Sequence, residues 1–516
     1  MTSATYLAVD PRTHAAVADA SDLSELGYGQ ELHRRVGWFA SFAAGFSFVS
    51  ILTTVFQLFA FGFTLGGPAF FWTWPLVFAG HICVALVFAE LAARWPLAGC
   101  IYQWSRRLAG EGVGWFAGWF MILGYVVSVA AIGIALQTTL PAVWPGFQFV
   151  GADPALSSPS GAVNAIVLGS VLIAACTAIS ASGVKVMAAV TCTGVACEIV
   201  GVVVLLVLLF TYAERGPEVL TDTGGVQGDG SYLWPFLAST LMAAYVMYGF
   251  DSAAELSEET HDPRRTTPKA ILRALNLSAV GGGLMILGAL FAAPSLTDGR
   301  LGTEGIAYVI TSQFDTTLGK LLLVVVAIAV ASACLAIQNS ATRVAFSMAR
   351  DGRLPFSGPL SRVNPRTGTP ILTGIAIGAL AIGVLLINLG NPVVFTAVTA
   401  TSVVIVYFAY LLVTGPALIA RLRGRMAASA ECGFSLGCWG LPINVVAAVY
   451  GALMLVNIAW PRQAVYDPAG EHWYLQYFAL LSLAGVCATG LAAYLALRRT
   501  RDATPRALAV PVIEAG

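Results

Sequence analysis

Charge is the scarcest ingredient of this sequence. Lys and Arg number 27, Asp and Glu 27, and together they make up 10% of 516 residues. A soluble globular chain carries about 25%, so too few charges exist to cover a water-facing surface. No basic patch reads as a nucleic-acid footprint. Histidine is equally thin, with five residues outside any ligand spacing, and no nucleophile–base pair or GxxxxGK[ST] phosphate loop occurs. A membrane enzyme and direct ATP drive are therefore disfavoured, and no metal or cofactor is expected. The first 35 residues, with Asp10, Arg12, Asp19, Asp22, Glu25 and Arg34, lack the apolar core of a signal peptide. They read as a cytosolic tail. Of nine cysteines, Cys83, Cys176, Cys192, Cys197, Cys334 and Cys487 lie in apolar segments and Cys100, Cys432 and Cys438 in or near inner connections. That distribution offers neither a disulfide framework nor a zinc site.

What is abundant is apolar: 58% of residues are hydrophobic and the mean hydropathy is +0.79. A bilayer core of roughly 30 Å needs about 20 such residues in a helix. Twelve segments qualify: Val36–Phe61, Phe70–Ala93, Val113–Leu140, Ala162–Ser180, Val184–Phe210, Leu233–Glu255, Ala270–Ala292, Leu318–Phe346, Ile371–Leu389, Val393–Ile419, Leu441–Trp460 and Tyr474–Leu497. They are too long and too evenly apolar for a barrel. The fold class is an all-α polytopic membrane protein.

Basic residues fall on one set of connections, as in Arg34, Arg35, Arg106, Arg107, Arg264, Arg265, Arg350, Arg353, Arg421 and Arg423. The opposite connections hold only Arg215, Arg300, Lys320 and Arg462. Lys and Arg collect on cytoplasmic loops, which places both termini, including 498–516, on the cytosolic side of a cell (plasma or inner) membrane. The tails are short, whereas a membrane solute sensor would carry a sizeable signalling domain.

Two spans interrupt the apolar rule. The first reads GFSFVSILTTVF, with Ser47, Ser50 and Thr54 on one helix face and Thr53 beside them. The plain alternative is that these hydroxyls bond back to carbonyls or across helices. The sixth reads AAYVMYGFDSAAE, with Gly249 and Asp251 in an aromatic stretch. Interrupted helices five spans apart, in opposite orientation, point to the central site of an inverted-repeat transporter.

Five motifs in order then identify a resemblance. LGYGQELHRR (Leu26–Arg35) precedes the first span and GGP (Gly66–Pro68) follows it. AELAARWPLAGCIYQW carries Glu90, Pro96, Gly99, Tyr102 and Trp104, and SEETHDPRRTTPKAI follows the sixth span. ARDGRLPFSGPLSRVNPRTGTP (Ala349–Pro370) follows the eighth. Over nearly its whole length the chain resembles the amino acid–polyamine–organocation permeases, in the branch carrying GABA, choline and other amino acid permeases. The resemblance implies a leucine-transporter-like fold, with repeat one over 36–210, repeat two over 233–419 and extra helices over 441–497. It implies secondary transport of an amino acid, GABA, choline or a polyamine, driven by a proton or sodium or run as exchange. Substrate would bind at the breaks of spans one and six. The first span departs from many relatives in lacking a glycine-flanked break.

The resemblance sets Tyr245, Tyr248, Gly249, Phe250 and Asp251 at the sixth break, with Tyr245 as a gate or an ordinary packed tyrosine. Freed amides at half-helix starts suit a substrate carboxylate, and freed carbonyls and hydroxyls its ammonium. Asp251 is either a helix N-cap or a functional carboxylate. Glu198, midway along the fifth span, costs roughly 2.5–3.5 kcal/mol as a charge at that depth. It reads as a proton-coupling site or as a neutral acid in an interhelical hydrogen bond. Lys185 lies at the span's edge and does not match the lysine that replaces sodium in some relatives. His81 reads as packing, and Ser332 as a helix contact or, by analogy, a sodium ligand.

Overall fold

The computed structural model describes residues 23–503, apart from 157, 315, 388–393, 427–432, 468, 469 and 471. The tail residues 1–22 and 504–516 and Cys432 lie outside the described residues. Among the described residues there is no strand, only an isolated parallel bridge between Val36 and Thr260.

All twelve expected spans are helical. Ten are long and apolar enough to cross a membrane, and the two shorter apolar helices are Leu233–Val246 and Ile371–Ile387. The sixth span is short because it breaks: Leu233–Val246 stops, and Ser252–Glu255 resumes after an irregular turn. The first span breaks too, into Trp38–Val49 and Ile51–Gly66. Several spans begin where the sequence supplies a start signal. Ser158 accepts the Gly161 amide at 3.0 Å ahead of Pro159, opening the fourth span, Pro159–Ala181.

Packing ranks the spans. In the third, Glu111–Val143, 83% of the most apolar stretch is buried, against 6% in the twelfth, Phe478–Arg499. The third therefore runs through the protein interior, and the twelfth leaves its apolar surface to lipid. Spans one and six, two and seven, three and eight, and four and nine each touch. The third packs on the tenth as the eighth packs on the fifth, and the first packs on the seventh as the sixth packs on the second. Moving every partner by five spans reproduces these contacts, which is what an inverted pair of five-helix units requires.

Among the described residues, three helices of six or more residues lie in connections that the sequence reading left without structure. Cys100–Ala109 is strongly two-faced, burying Ile101, Tyr102 and Trp104. Gly299–Glu304 and Ile306–Gln313 sit between the seventh and eighth spans.

Candidate functional site

A break in a membrane helix strands amides and carbonyls that hydrocarbon cannot satisfy. At Ser50 the chain turns left-handed, with φ 37°, a strain of about 1–3 kcal/mol for a residue with a side chain. Local bonds hold it there. The Ser50 amide donates to the Phe46 carbonyl at 2.8 Å, and the Ser50 carbonyl accepts the Thr53 and Thr54 amides. Thr54 Oγ1 donates to the carbonyls of Ser50 (2.9 Å) and Val49 (3.1 Å). Ser50 Oγ lies 2.7 Å from Thr53 Oγ1 and 2.9 Å from Glu198 Oε1, and its single proton serves one of them at a time. The Leu52 amide, stranded at the start of the second half, donates to Glu198 Oε1 at 3.2 Å. Glu198 is fully buried, and its Oε2 has no hydrogen-bond partner. Ser47 Oγ meets Ser332 Oγ at 2.8 Å, so this pair joins the first and eighth spans.

The sixth break centres on Gly249, at φ 92°, a conformation open to glycine and costly for other residues. The Gly249 amide donates to Tyr410 Oη at 3.0 Å. Tyr410 Oη in turn donates to Asp251 Oδ1, and Tyr125 Oη donates to Asp251 Oδ2 at 2.8 Å. Asp251 makes no side-chain capping bond to the helix after it. Asp251 thus stands at the N-cap position of Ser252–Glu255, but its carboxyl, instead of capping, ties the sixth span to the third and tenth. One turn on, Glu255 accepts the Gly99 amide at 2.7 Å and the Cys100 thiol at 2.9 Å. Oxygens of Asp251 and Glu255 and the Cys100 sulfur lie within 4.8 Å of one another, all buried, and every one of these residues is already engaged in hydrogen bonds.

The remaining predicted residues divide between the cavity and the packing beside it, with the Tyr245 and Tyr248 rings in edge contact, their centroids 5.5 Å apart. Tyr245 lines a cavity of about 790 Å³ together with Phe56, Gln57, Gln137, Met242, Asp153 and Glu304. Tyr248 Oη is 2.9 Å from Ser128 Oγ. Phe250 packs among His81, Phe88 and Tyr410, away from the cavity lining. His81 is bound by Tyr407 and Tyr450 hydroxyls. Tyr125, Tyr410, Ser128 and Glu255 were not singled out by sequence. Tyrosines and serines within apolar spans carry no local pattern that assigns them to a site.

The cavity reaches the connections around residues 153–156 and 303–304. At the other face the protein is closed by the very motifs that carry the family resemblance. Asp351 accepts from Tyr28 (3.0 Å), Tyr102 (2.8 Å) and Arg106 (2.6 Å). Glu258 pairs with Arg350 at 2.8 Å, and Arg350 stacks over the Tyr28 ring at 4.1 Å. Arg343 and Glu259 form a fully buried pair at 3.0 Å. Glu90 holds Arg421 and accepts the Leu436 amide at 3.2 Å. Burial, followed by the Asp351 charge, raises the Tyr28 hydroxyl above its ordinary value, so it stays a donor to that carboxylate.

The comparisons with known proteins agree with this architecture. A family model described as amino acid permease matches residues 36–484. The amino-acid permease BAT1 of Arabidopsis thaliana is 28% identical over 473 residues, covering 86% of this chain and 89% of that protein. An uncharacterized amino-acid permease of Schizosaccharomyces pombe is 26% identical over 486 residues, covering 88% and 80%. Among solved structures, that of MhsT in complex with L-phenylalanine superposes with a TM-score of 0.57 at 15% identity, covering 83% of this chain and all of the other. That likeness establishes the leucine-transporter-type fold.

Proposed function

From the premise that this chain belongs to the amino acid permease family, we propose that it moves amino acids or amino-acid-like amines across a cell membrane by alternating access. The observation that carries the proposal is the pair of interrupted helices, with a cavity that ends on Tyr245 at one of them. Ser47, Ser50, Thr53, Thr54, Tyr245, Tyr248, Gly249, Phe250 and Asp251 form the substrate region in this reading. The open cavity and the closed motif face correspond to a state that receives solute from outside, with both termini in the cytosol. The outward cavity then closes over Tyr245 while the contacts at Asp351, Glu258 and Glu259 part.

Uptake is coupled to a proton at Glu198. Its Oε1 is held by Ser50 and Leu52 at the break, and Oε2 is free to take the proton. A charge change there acts directly on the half-helix that must move. Sodium held near the Ser47–Ser332 pair is the rival coupling, and simple exchange is a third.

The test is flux in proteoliposomes holding the purified chain, under an imposed pH gradient and then a sodium gradient. Accumulation with the pH gradient alone supports the reading. Accumulation with sodium alone overturns proton coupling, and ligand binding without flux under either gradient indicates a solute sensor.

A further inference from the structure

We propose that the transporter selects by positive charge, admitting amine cations and rejecting solutes that carry net negative charge on a carboxylate. The inference rests on the transport reading above and narrows its substrate class.

The cavity mouth supplies the first observation. Asp153 and Glu304 both line it and both are exposed. No Lys, Arg or His stands among its described lining residues. Three of the four basic groups of that face are occupied elsewhere: Arg215 holds the Ala293 and Pro294 carbonyls, Arg462 holds Asn457, and Arg300 holds Asp298 at 2.8 Å; the fourth, Lys320, is exposed and does not line the cavity. The Arg300 bonds keep the Asp298 carboxyl low, at about 2. Asp298 thus stays charged and keeps Arg300 neutralised wherever the mouth acids are ionised. Two like charges over a cleft with apolar walls focus the field and concentrate cations.

The breaks supply the second observation, independent of the first. A substrate carboxylate would need the stranded amides, and two of them are already used. The Leu52 amide is bound to Glu198 and the Gly249 amide to Tyr410 Oη. The ionisable groups bonded at the breaks are acids and phenols: Glu198 at the first, Asp251 with Tyr125 and Tyr410 at the second. Arg343, a fully buried cation of the eighth span, is paired with Glu259. An incoming carboxylate would have to shed its water next to acceptors, with few donors to replace it. An ammonium meets acceptors along the whole route.

The experiment uses proteoliposomes of the full chain and four labelled probes: choline, cadaverine, alanine and glutamate. Cation uptake with no glutamate uptake supports the proposal. Because both mouth residues are exposed, the double variant Asp153→Asn/Glu304→Gln keeps its fold. It should raise KM for choline or cadaverine about three- to tenfold at low ionic strength, the change falling on KM rather than kcat. The gap should close near 1 M salt, where the Debye length is about 3 Å. Glutamate transported with a kcat/KM matching the cations overturns the inference, as does a double variant with unaltered KM at low salt. Alanine and glutamate moving while both cations stay silent overturns charge selection and leaves transport standing. If no probe moves or stabilises the wild type, the transport reading itself fails and charge selection falls with it.

Discussion

The ring of Phe48 fills the space above Gly249, so the last turn before the first break is seated on the second break. A Cβ built on Gly249 would overlap the edge of that ring, and the residue's φ is +92°. Phe48 is itself wedged between Tyr125 and Tyr248, with ring centroids 5.3 and 5.9 Å away. The sequence reading set Gly249 at the sixth break, where substrate would bind; in this state an aromatic side chain occupies the space over its backbone.

Gly249→Ala should therefore destabilise the protein as well as weaken binding. Overpacking costs about 1–3 kcal/mol and the left-handed backbone roughly 1–2 kcal/mol more. Thermal unfolding in detergent should show a clear fall in Tm. In a Phe48→Ala background Gly249→Ala should cost less Tm than it does in wild type, because the steric share is relieved and the backbone share remains. An unchanged Tm for Gly249→Ala would show that the ring does not seat there.

Asp351 gathers four donors from two segments: Tyr28 ahead of the first span, and Tyr102, Gln103 and Arg106 of the helix Cys100–Ala109. Asp351→Asn removes the charge that makes the Arg106 bond strong, and hydrogen bonds to charged groups contribute about 1.5–3 kcal/mol. The closed face should open more often, by about tenfold in population for each 1.4 kcal/mol lost. Cys100, buried beside Glu255, reports the opening. Its maleimide labelling rate, followed by peptide mass spectrometry with exposed Cys438 changed to Ser, should rise about tenfold or more. Equal rates in wild type and variant would mean that Asp351 does not latch this face.

How far the sequence could be read follows from the range of each interaction. Span positions are set by local apolar length, so all twelve were legible, down to the sixth with its internal break. The Ser47–Ser50–Thr54 face was legible for the same reason. Its bonds are those of the plain alternative: Thr54 returns to a backbone carbonyl, while Ser47 crosses to Ser332 and Ser50 to Glu198. The setting of Asp251 was not legible. Its partners Tyr125 and Tyr410 lie 126 and 159 residues away, and nothing in a tyrosine's neighbours announces a contact at that separation. The surface helix Cys100–Ala109 was hidden by a motif that invited reading as a pattern rather than as a period of 3.6. The motifs themselves acquire a physical meaning here, since Tyr28, Glu90, Tyr102, Glu258 and Asp351 are the residues that hold one face shut.

Arg423 is exposed at the end of the tenth span, next to Arg421, which is held by Glu90. A cysteine at Arg423 should react with an impermeant maleimide in inverted vesicles and not in intact cells, because the arginines of this connection oppose translocation. Labelling from outside intact cells would reverse the assigned orientation, and with it the side from which the cavity fills.

Glu198→Gln is the sharpest separation of coupling from structure. The glutamine carbonyl can still accept the Leu52 amide and the Ser50 hydroxyl, which bond to Glu198 Oε1 at 3.2 and 2.9 Å. The start of the second half-helix is thus kept satisfied. What is lost is the ability of the other oxygen, now unpartnered, to gain and release a proton. While the site is sealed, a bare carboxylate is costly and the neutral acid is favoured. In the proposed cycle an inward-facing cavity wets it, water solvates the charged form and the proton leaves. A difference in proton occupancy between the two states is what allows a gradient to bias them. Counterflow exchange of a bound solute should therefore survive in Glu198→Gln, while uptake against a gradient driven by imposed pH should fall by about tenfold or more, the equivalent of 1.4 kcal/mol of lost bias. Glu198→Ala should do worse, stranding the Leu52 amide at a cost of about 1–3 kcal/mol and lowering Tm as well. The deciding measurement is accumulation under a pH gradient without sodium. If wild type and Glu198→Gln concentrate solute equally, Glu198 is a neutral acid that caps the broken helix and carries no proton.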